Sequence, residues 1–375
     1  MSFRYSSGIN KPVFNPLGTQ TAGYQNNLYS WGSNDNGQLG LGNTAARSSP
    51  TQVGALADWA DAAIGLRFTV SVKSDGTLWT WGDNASGQLG SGNTTARSSP
   101  VQVGSLTTWS IARGGRTYTA AIKTDGTLWT WGGNDYGQLG LGNVTNYSSP
   151  KQVGALTNWL KLSSGNYCSL SIKTDGSLWS WGLNNNGQLG VGDTASRSSP
   201  TQVGALTTWL NVSAGAYQTL AVKTDGTAWA WGNGGSGRLG LGNSTNYSSP
   251  KQIGALTNWQ TVSTGNDFSI AVKTDGTIWS WGRNQVGQLG LNNTTYYSSP
   301  VQVGALTTWS RVSTGANFAI ALKTNGTLWS WGNNSQGQLG IGNTTYYSSP
   351  KQVGSLTNWA IIAPMSGSTF AAAMI

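Results

Sequence analysis

A period of 50 residues constrains this chain more than any other feature of it. From Asn26 to Ile375, 350 of the 375 residues divide into seven units of that length, with nothing inserted between one Trp-Gly pair and the next. A unit so short cannot bury its own apolar face, so its neighbours must cover it, in an open solenoid or a closed ring. Three aromatic series mark the register. Trp31, Trp81, Trp131, Trp181, Trp231, Trp281 and Trp331 precede glycine, and Trp59, Trp109, Trp159, Trp209, Trp259, Trp309 and Trp359 follow Gln-Val-Gly or Gln-Ile-Gly. Trp79, Trp129, Trp179, Trp229, Trp279 and Trp329 form the third, with Tyr29 in the first copy. Repetition at fixed positions points to packing between neighbouring units rather than to a ligand cage, since each buried aromatic removes roughly 150 to 250 Å² from water.

Strand signals fill the space between these markers. Phe68-Thr-Val-Ser-Val72 and Thr77-Leu-Trp-Thr-Trp81 flank Lys73-Ser-Asp-Gly76, the pattern of a hairpin. Two further short strands are expected around Pro-x-Gln-Val and after each second-series Trp, as at Arg311-Val-Ser, which gives four strands per unit and no helix. Four-stranded sheets repeated radially are the blades of a β-propeller. The ends of the chain favour closure: Phe370-Ala-Ala-Ala-Met-Ile375 lacks its partner strand, and Leu28-Tyr-Ser-Trp31 begins without one. Pairing the two makes a seven-bladed, all-β propeller over residues 26–375 with no open edge, preceded by an extended arm, residues 1–25, that belongs to no repeat.

The strings Leu-Trp-Ser-Trp-Gly, Asn-x-x-Gly-Gln-Leu-Gly-x-Gly and Pro-x-x-Val, seven copies in register, resemble the repeat of the regulator of chromosome condensation family; Asn292 replaces the last Gly of the second string in the sixth copy. The resemblance implies a seven-bladed propeller, in agreement with the strand count, and a function drawn from exchange factors, ubiquitin-ligase modules or binding scaffolds. For an exchange factor it would further imply an inserted wedge, which the unbroken 50-residue intervals leave no room for.

Composition narrows the chemistry. The chain has no His and no Glu, so His-based triads, HExxH zinc sites and Glu pairs are excluded. Of the 12 Asp, Asp75, Asp125, Asp175, Asp225 and Asp275 sit in the Lys-x-Asp-Gly turn, where Asn325 takes the sixth place, a sign of turn chemistry. The lone Cys168 occupies a strand slot held elsewhere by Phe68, Tyr118, Gln218, Phe268 and Phe318, and reads as a small packed hydrophobe. Gly40-Leu-Gly-Asn-Thr-Ala45 and Gly190-Val-Gly-Asp-Thr-Ala195 match a dinucleotide pattern but open no helix. We expect no enzyme activity, cofactor or metal. The net charge of +9 is spread around the repeats, which argues against specific nucleic-acid binding, and no apolar run reaches the ~20 residues of a membrane span.

Binding is therefore the expected role, and two regions are its candidates. Just before each Ser-Ser-Pro stand Arg47, Arg97, Tyr147, Arg197, Tyr247, Tyr297 and Tyr347, a circle of Arg and Tyr suited to protein or sugar contacts, or to covering apolar blade edges with long stems. The arm supplies Phe3, Arg4, Tyr5, Lys11 and Phe14. The four residues after each Trp-Gly also vary between copies, apart from an Asn at the second place that Gly234 alone replaces. Near-identical copies and a short arm are similar to propellers of this family encoded by tailed phages. On that resemblance the expected role is a structural virion component, several copies of which are anchored to capsid or tail proteins by residues 1–25. Alternatives are a lectin-like propeller binding a host-surface glycan, and a cytoplasmic regulatory scaffold of the same family.

Overall fold

Each Lys-x-Asp-Gly segment turns the chain back on itself. Gly76, at φ +78°, donates its N–H to the Lys73 carbonyl at 2.9 Å. The Asp75 carboxylate accepts from the Thr77 backbone at 2.9 Å and from its hydroxyl at 2.6 Å. That hydroxyl accepts in turn from Trp79 Nε1 at 2.9 Å, so one carboxylate organises turn, strand and third-series Trp. An added Cβ at Gly76 would meet the Thr107 carbonyl oxygen at 2.1 Å, which is why the glycine recurs. The turn joins Phe68–Lys73 to Leu78–Gly82 in an antiparallel hairpin.

The computed structural model describes residues 26–55, 57–363 and 367–375. The expected arm, with Phe3, Arg4, Tyr5, Lys11 and Phe14, lies outside the described residues.

Around each hairpin stand two more strands. In the first blade the order is Trp59–Ile64, Phe68–Lys73, Leu78–Gly82 and Arg97–Gln102. Five more blades follow at residues 109–152, 159–202, 209–252, 259–302 and 309–352. The seventh, closing blade pairs Leu28–Gly32 and Arg47–Gln52 from one end of the chain with Ile361–Ile362 and Phe370–Met374 from the other. Leu28 stands opposite Met374 and Gly32 opposite Phe370. Each sequence repeat thus supplies the outer half of one blade and the inner half of the next. Closure by the two termini follows from that phase. Among the described residues the only helical element is the short 3-10 turn Gly235–Gly237.

The first strand of each blade lies nearest the axis, where successive blades touch: Ser213 and Thr264 hydroxyls meet at 2.9 Å, as do those of Ser263 and Thr314. The fourth strand lies outermost and is the most exposed. Its edge is poorly suited to pairing with another chain, because Pro100 and its equivalents lack an N–H and the ladder is irregular between Thr80 and Gly82.

Tryptophans do the joining. Trp81 is fully buried and donates its Nε1–H to the Gln38 carbonyl of the preceding blade at 2.9 Å. The same bond recurs from Trp131, Trp181, Trp231, Trp281 and Trp331, and Trp31 makes it to Gln338 across the closure. Gly40, at φ +74°, lets the donor in: a Cβ there would sit 2.6 Å from Trp81 Nε1. The second series is also buried, packed edge-to-face within the blade, as Trp109 is on Trp129 and Trp131. The third series differs from the packing expectation, since Trp79 and its equivalents are only half-buried. Cys168 is buried as expected, its thiol pushed up to about 12 by burial.

Two outcomes follow. Deleting residues 26–32 removes the strand that bridges the two ends of the closing blade and Trp31 with it. Loss of one buried Trp alone costs about 3–5 kcal/mol, so this deletion should abolish the cooperative thermal transition, whereas deleting residues 1–25 should leave it in place. Calorimetry showing equal midpoints for the two truncations would contradict the split-blade closure. The turn carboxylates set the acid limb. Hydrogen bonds from Thr127, Ser177, Thr227 and Thr277 hold Asp125, Asp175, Asp225 and Asp275 below the ordinary carboxylate range. A lowered folded-state pKa means stability that is present above the unfolded value of about 3.9 and lost as pH falls through the folded one. Replacing these four and Asp75 by Asn, as at Asn325, should flatten the fall in melting temperature below about pH 4; an unchanged acid limb would refute this role.

Candidate binding surface

Two groups of side chains that differ between copies lie on the rim and on one face. The Arg/Tyr slot opens each outer strand, so Arg47, Arg97, Tyr147, Arg197, Tyr247, Tyr297 and Tyr347 stand on seven separate blades around the rim and converge on no common site. Six of the seven are locally engaged. The hydroxyls of Tyr147 and Tyr297 accept from Asn143 and Asn293 at 3.3 Å. Lys151, Lys251 and Lys351 lie over the rings of Tyr147, Tyr247 and Tyr347 at 5.4, 5.6 and 5.2 Å. Arg197 pairs with Asp193 at 2.5 Å, and Arg47 donates to the Ala46 carbonyl. Tyr247, Tyr297 and Tyr347 pack against the blade cores, the covering role of long amphipathic stems.

The loops after Trp-Gly lie on the face opposite the hairpin turns. Their near-constant second residue is not there for turn conformation: Asn34, Asn84, Asn134, Asn184, Asn284 and Asn334 are fully buried braces. Asn34 Nδ2 donates to the Asn43 and Ala45 carbonyls at 3.0 and 2.9 Å, and its Oδ1 accepts from the Leu39 N–H at 2.9 Å. The glutamine of Gly-Gln-Leu-Gly adds a second brace, Gln38 Oε1 accepting from the Asn36 N–H at 2.9 Å.

One loop has lost both braces. In the fourth blade Gly234 replaces the Asn and Arg238 the Gln, and an arginine has no acceptor to offer. The loop re-forms as the 3-10 turn Gly235–Gly237 with Ser236 at φ 58°, and Arg238 Nε donates to the Gly235 carbonyl at 2.8 Å. The guanidinium, 8% exposed, meets Asp267 at 2.8 Å, and Arg283 meets the other oxygen of the same carboxylate at 3.0 Å. Arg238, Asp267 and Arg283 are each unique to their slots in the repeat, yet they lie together at the boundary of the fourth and fifth blades. Burial lowers the pKa of Arg238, with Asp267 opposing, and Asp267 holds Arg283 up; both remain charged at neutral pH.

Aromatics extend this cluster across the face. Tyr136 packs edge-to-face on Tyr167 with centroids 5.1 Å apart, and Arg116 lies over the Tyr167 ring at 5.5 Å. Burial raises the phenol pKa of Tyr167 against the pull of Arg116, and Tyr136 and Tyr217 add to the rise. Tyr217 and Tyr296 act electrostatically on Arg238 and Arg283 respectively, each favouring the charged guanidinium. Tyr136, Tyr217 and Tyr296 are 41%, 37% and 47% exposed. An exposed Tyr/Arg surface around a partly buried ion-pair network is the composition of a protein-binding hot spot. Of the three, only Arg238 departs in the sequence from a constant residue, the Gln of Gly-Gln-Leu-Gly, whereas Asp267 and Arg283 stand at slots that differ in nearly every copy, so no sequence signal joins them.

The fold can now be compared with known proteins. The model of the regulator of chromosome condensation (RCC1) repeat matches at residues 25–72, 75–122, 125–172, 175–222, 225–272, 275–322 and 325–374. The chain belongs to the RCC1 repeat family. A second model of the same repeat matches six segments, from 59–88 to 309–338. Human WBSCR16 superposes with a TM-score of 0.83 at 22% identity, covering 93% of this chain and 98% of its own. Prp20p from Saccharomyces cerevisiae, described with its binding to Gsp1p and histones, gives 0.82 at 20%, over 93% and 91%. Yeast RCC1 (Prp20) bound to Kap60 gives 0.83 at 18%, over 100% and 95%. No curated protein sequence matches the chain. At these identities the likeness to the RCC1 structures is one of fold. The Tyr/Arg face is described by this chain's own residues.

The ion-pair network can be tested by returning it to the repeat pattern. Arg238→Gln alone strips Asp267 of its closer partner; Arg238→Gln with Asp267→Asn removes the need for one. Groups in one network couple by about 0.5–3 kcal/mol, so the double variant should be destabilised by less than the sum of the singles by that amount. Additive effects in urea unfolding would show that the three residues do not act together.

Proposed function

We propose that this RCC1-repeat chain is a non-enzymatic binding scaffold that holds a protein partner on its asymmetric loop face. The observation that carries the reading is the meeting of Arg238, Asp267 and Arg283 beside Tyr217 and Tyr296. A ring that repeats its structure seven times loses two pattern residues together at this boundary, where Gly234 and Arg238 stand, beside exposed tyrosines. The chain's lack of His and Glu leaves that surface poor in acid–base groups and rich in contact groups. Prp20p and the Kap60 complex support protein binding as a use of this fold.

Of the roles considered for the chain, the cellular regulatory scaffold is the one we carry forward. The similar structures are human and yeast proteins, and nothing among them supports capsid or tail anchoring through residues 1–25. Lys side chains already cover three of the four rim tyrosine rings, which weighs against sugar stacking there. Among the described residues no helix is long and apolar enough to cross a membrane.

The test is affinity capture from the native host with the full chain, with the triple variant Tyr217→Ala/Arg283→Ala/Tyr296→Ala and with a rim control, Arg47→Ala/Arg97→Ala. Hot-spot truncations cost about 2 kcal/mol or more each. A specific protein partner should therefore be retained by the parent and the control and lost from the triple variant, while all three keep a cooperative melting transition. Retention by the triple variant, or loss from the rim control alone, would move the site off the loop face.

A further inference from the structure

The blade boundaries hold a second kind of site, on side chains that the loop face does not use. Between the third and fourth blades lies a cleft of about 290 Å³ whose walls include Val191, Leu206, Trp209, Lys223, Trp229 and Pro250. Leu206 is 49% exposed at its lip. The side chains lining it are apolar except for Ser249, Lys223 and two indole N–H groups, of which that of Trp229 donates to Thr227. Trp209 is 3% exposed and its Nε1 is buried without a hydrogen-bond partner. Lys223 is 7% exposed, and its ammonium is pinched between the rings of Trp229 and Trp209, 3.7 and 5.0 Å from their centroids. None of the ion pairs among the described residues involves it. Cation–π contact offsets part of the cost of burying that charge, and Asp225 of the adjoining turn acts on it without closing an ion pair.

The repeat itself contains the missing group in one copy. Position 58 carries Asp, and Asp58 meets the Lys73 ammonium at 3.3 Å above the equivalent rings of Trp59 and Trp79. The equivalent place in the fourth blade is Thr208, exposed and uncharged. The first blade therefore shows which chemistry satisfies this lysine, and the fourth lacks it.

We propose that the cleft between the third and fourth blades accepts a carboxylate on an apolar body, in the form of a peptide residue whose acidic group reaches Lys223 while its neighbouring aliphatic side chain fills the space between Leu206, Val191 and Pro250. Apolar walls supply contact area and the unpaired cation supplies selectivity, the usual division of labour in a ligand pocket. The site shares no residue with the loop-face cluster and stands or falls independently of it.

N-acetyl-leucinate is the probe, with N-acetyl-leucinamide as its uncharged control, and the indole N–H resonances of Trp209 and Trp229 in the full chain are the readout. For so small a ligand, ordinary efficiencies place the dissociation constant on the order of 1 mM. Both resonances should move with the acid, and the amide should bind at least about tenfold more weakly, the difference that losing a charge-assisted contact makes. Thr208→Asp copies Asp58 and should occupy the ammonium internally, abolishing the response in a chain that melts no lower than the parent. Lys223→Met keeps the aliphatic stem and should also abolish it. Unmoved resonances at about twentyfold the expected constant, equal binding of acid and amide, or a response that survives Thr208→Asp would each overturn the site.

Discussion

The wheel depends on one bond made seven times. An indole N–H in each third strand reaches a main-chain carbonyl in the loop of the preceding blade, at 2.9 to 3.0 Å. In five copies the same carbonyl also accepts a hydroxyl from the second strand of the following blade, as from Thr69 to Gln38 at 2.9 Å. A buried polar pair left open would cost about 1 to 3 kcal/mol, so the loop must stay where the Trp needs it. The glycine that admits the ring, the Asn that braces the loop and the fixed interval between them all follow from that requirement.

Because it depends on that staple, most of the fold was legible in the sequence. Repeated Trp, Gly and Pro at constant intervals report backbone positions that every copy must reproduce, and the phase of the two ends reported the closing blade. The hairpin turns were legible for a local reason, since Asp-Gly sets its own geometry and needs no distant partner. Two things were not. The buried Asn34 series looks in sequence like a polar turn residue, and only the assembled loop shows that its side chain is an internal brace. The half-buried state of the Trp79 series was hidden as well, because periodicity says that a position is structural without saying how far the neighbouring blade covers it.

The candidate site was legible only in pieces. Arg238 and Arg283 lie 45 residues apart and Asp267 lies between them, so nothing local links the three. Their contact depends on the ring placing the loop of one blade beside the inner-strand connection of the next. The rim slot shows the opposite case: its Arg and Tyr recur conspicuously along the sequence, yet the ring spreads them over seven blades and gives most of them a local partner. Variation at one slot carries less information than departures at several slots that meet at one boundary.

The same staple explains how the fourth blade could change without opening the ring. Its acceptor is a backbone carbonyl, so the side chain at that position is free of the closure. Arg238 still receives Trp281 Nε1–H at 2.9 Å and the Ser269 hydroxyl at 2.8 Å, as glutamine carbonyls do elsewhere. Its side chain meanwhile turns to Asp267, and the loop that lost its Asn and Gln braces is held by Arg238 Nε and a short turn. Gly237 and Gly240 keep the positive φ of their counterparts, 75° and 74°, so the path of the backbone toward Trp281 is preserved. A main-chain staple separates closure from side-chain chemistry. This is the physical reason a near-identical ring can carry one irregular, charged boundary: the repeat constrains the carbonyl and leaves free what projects beside it.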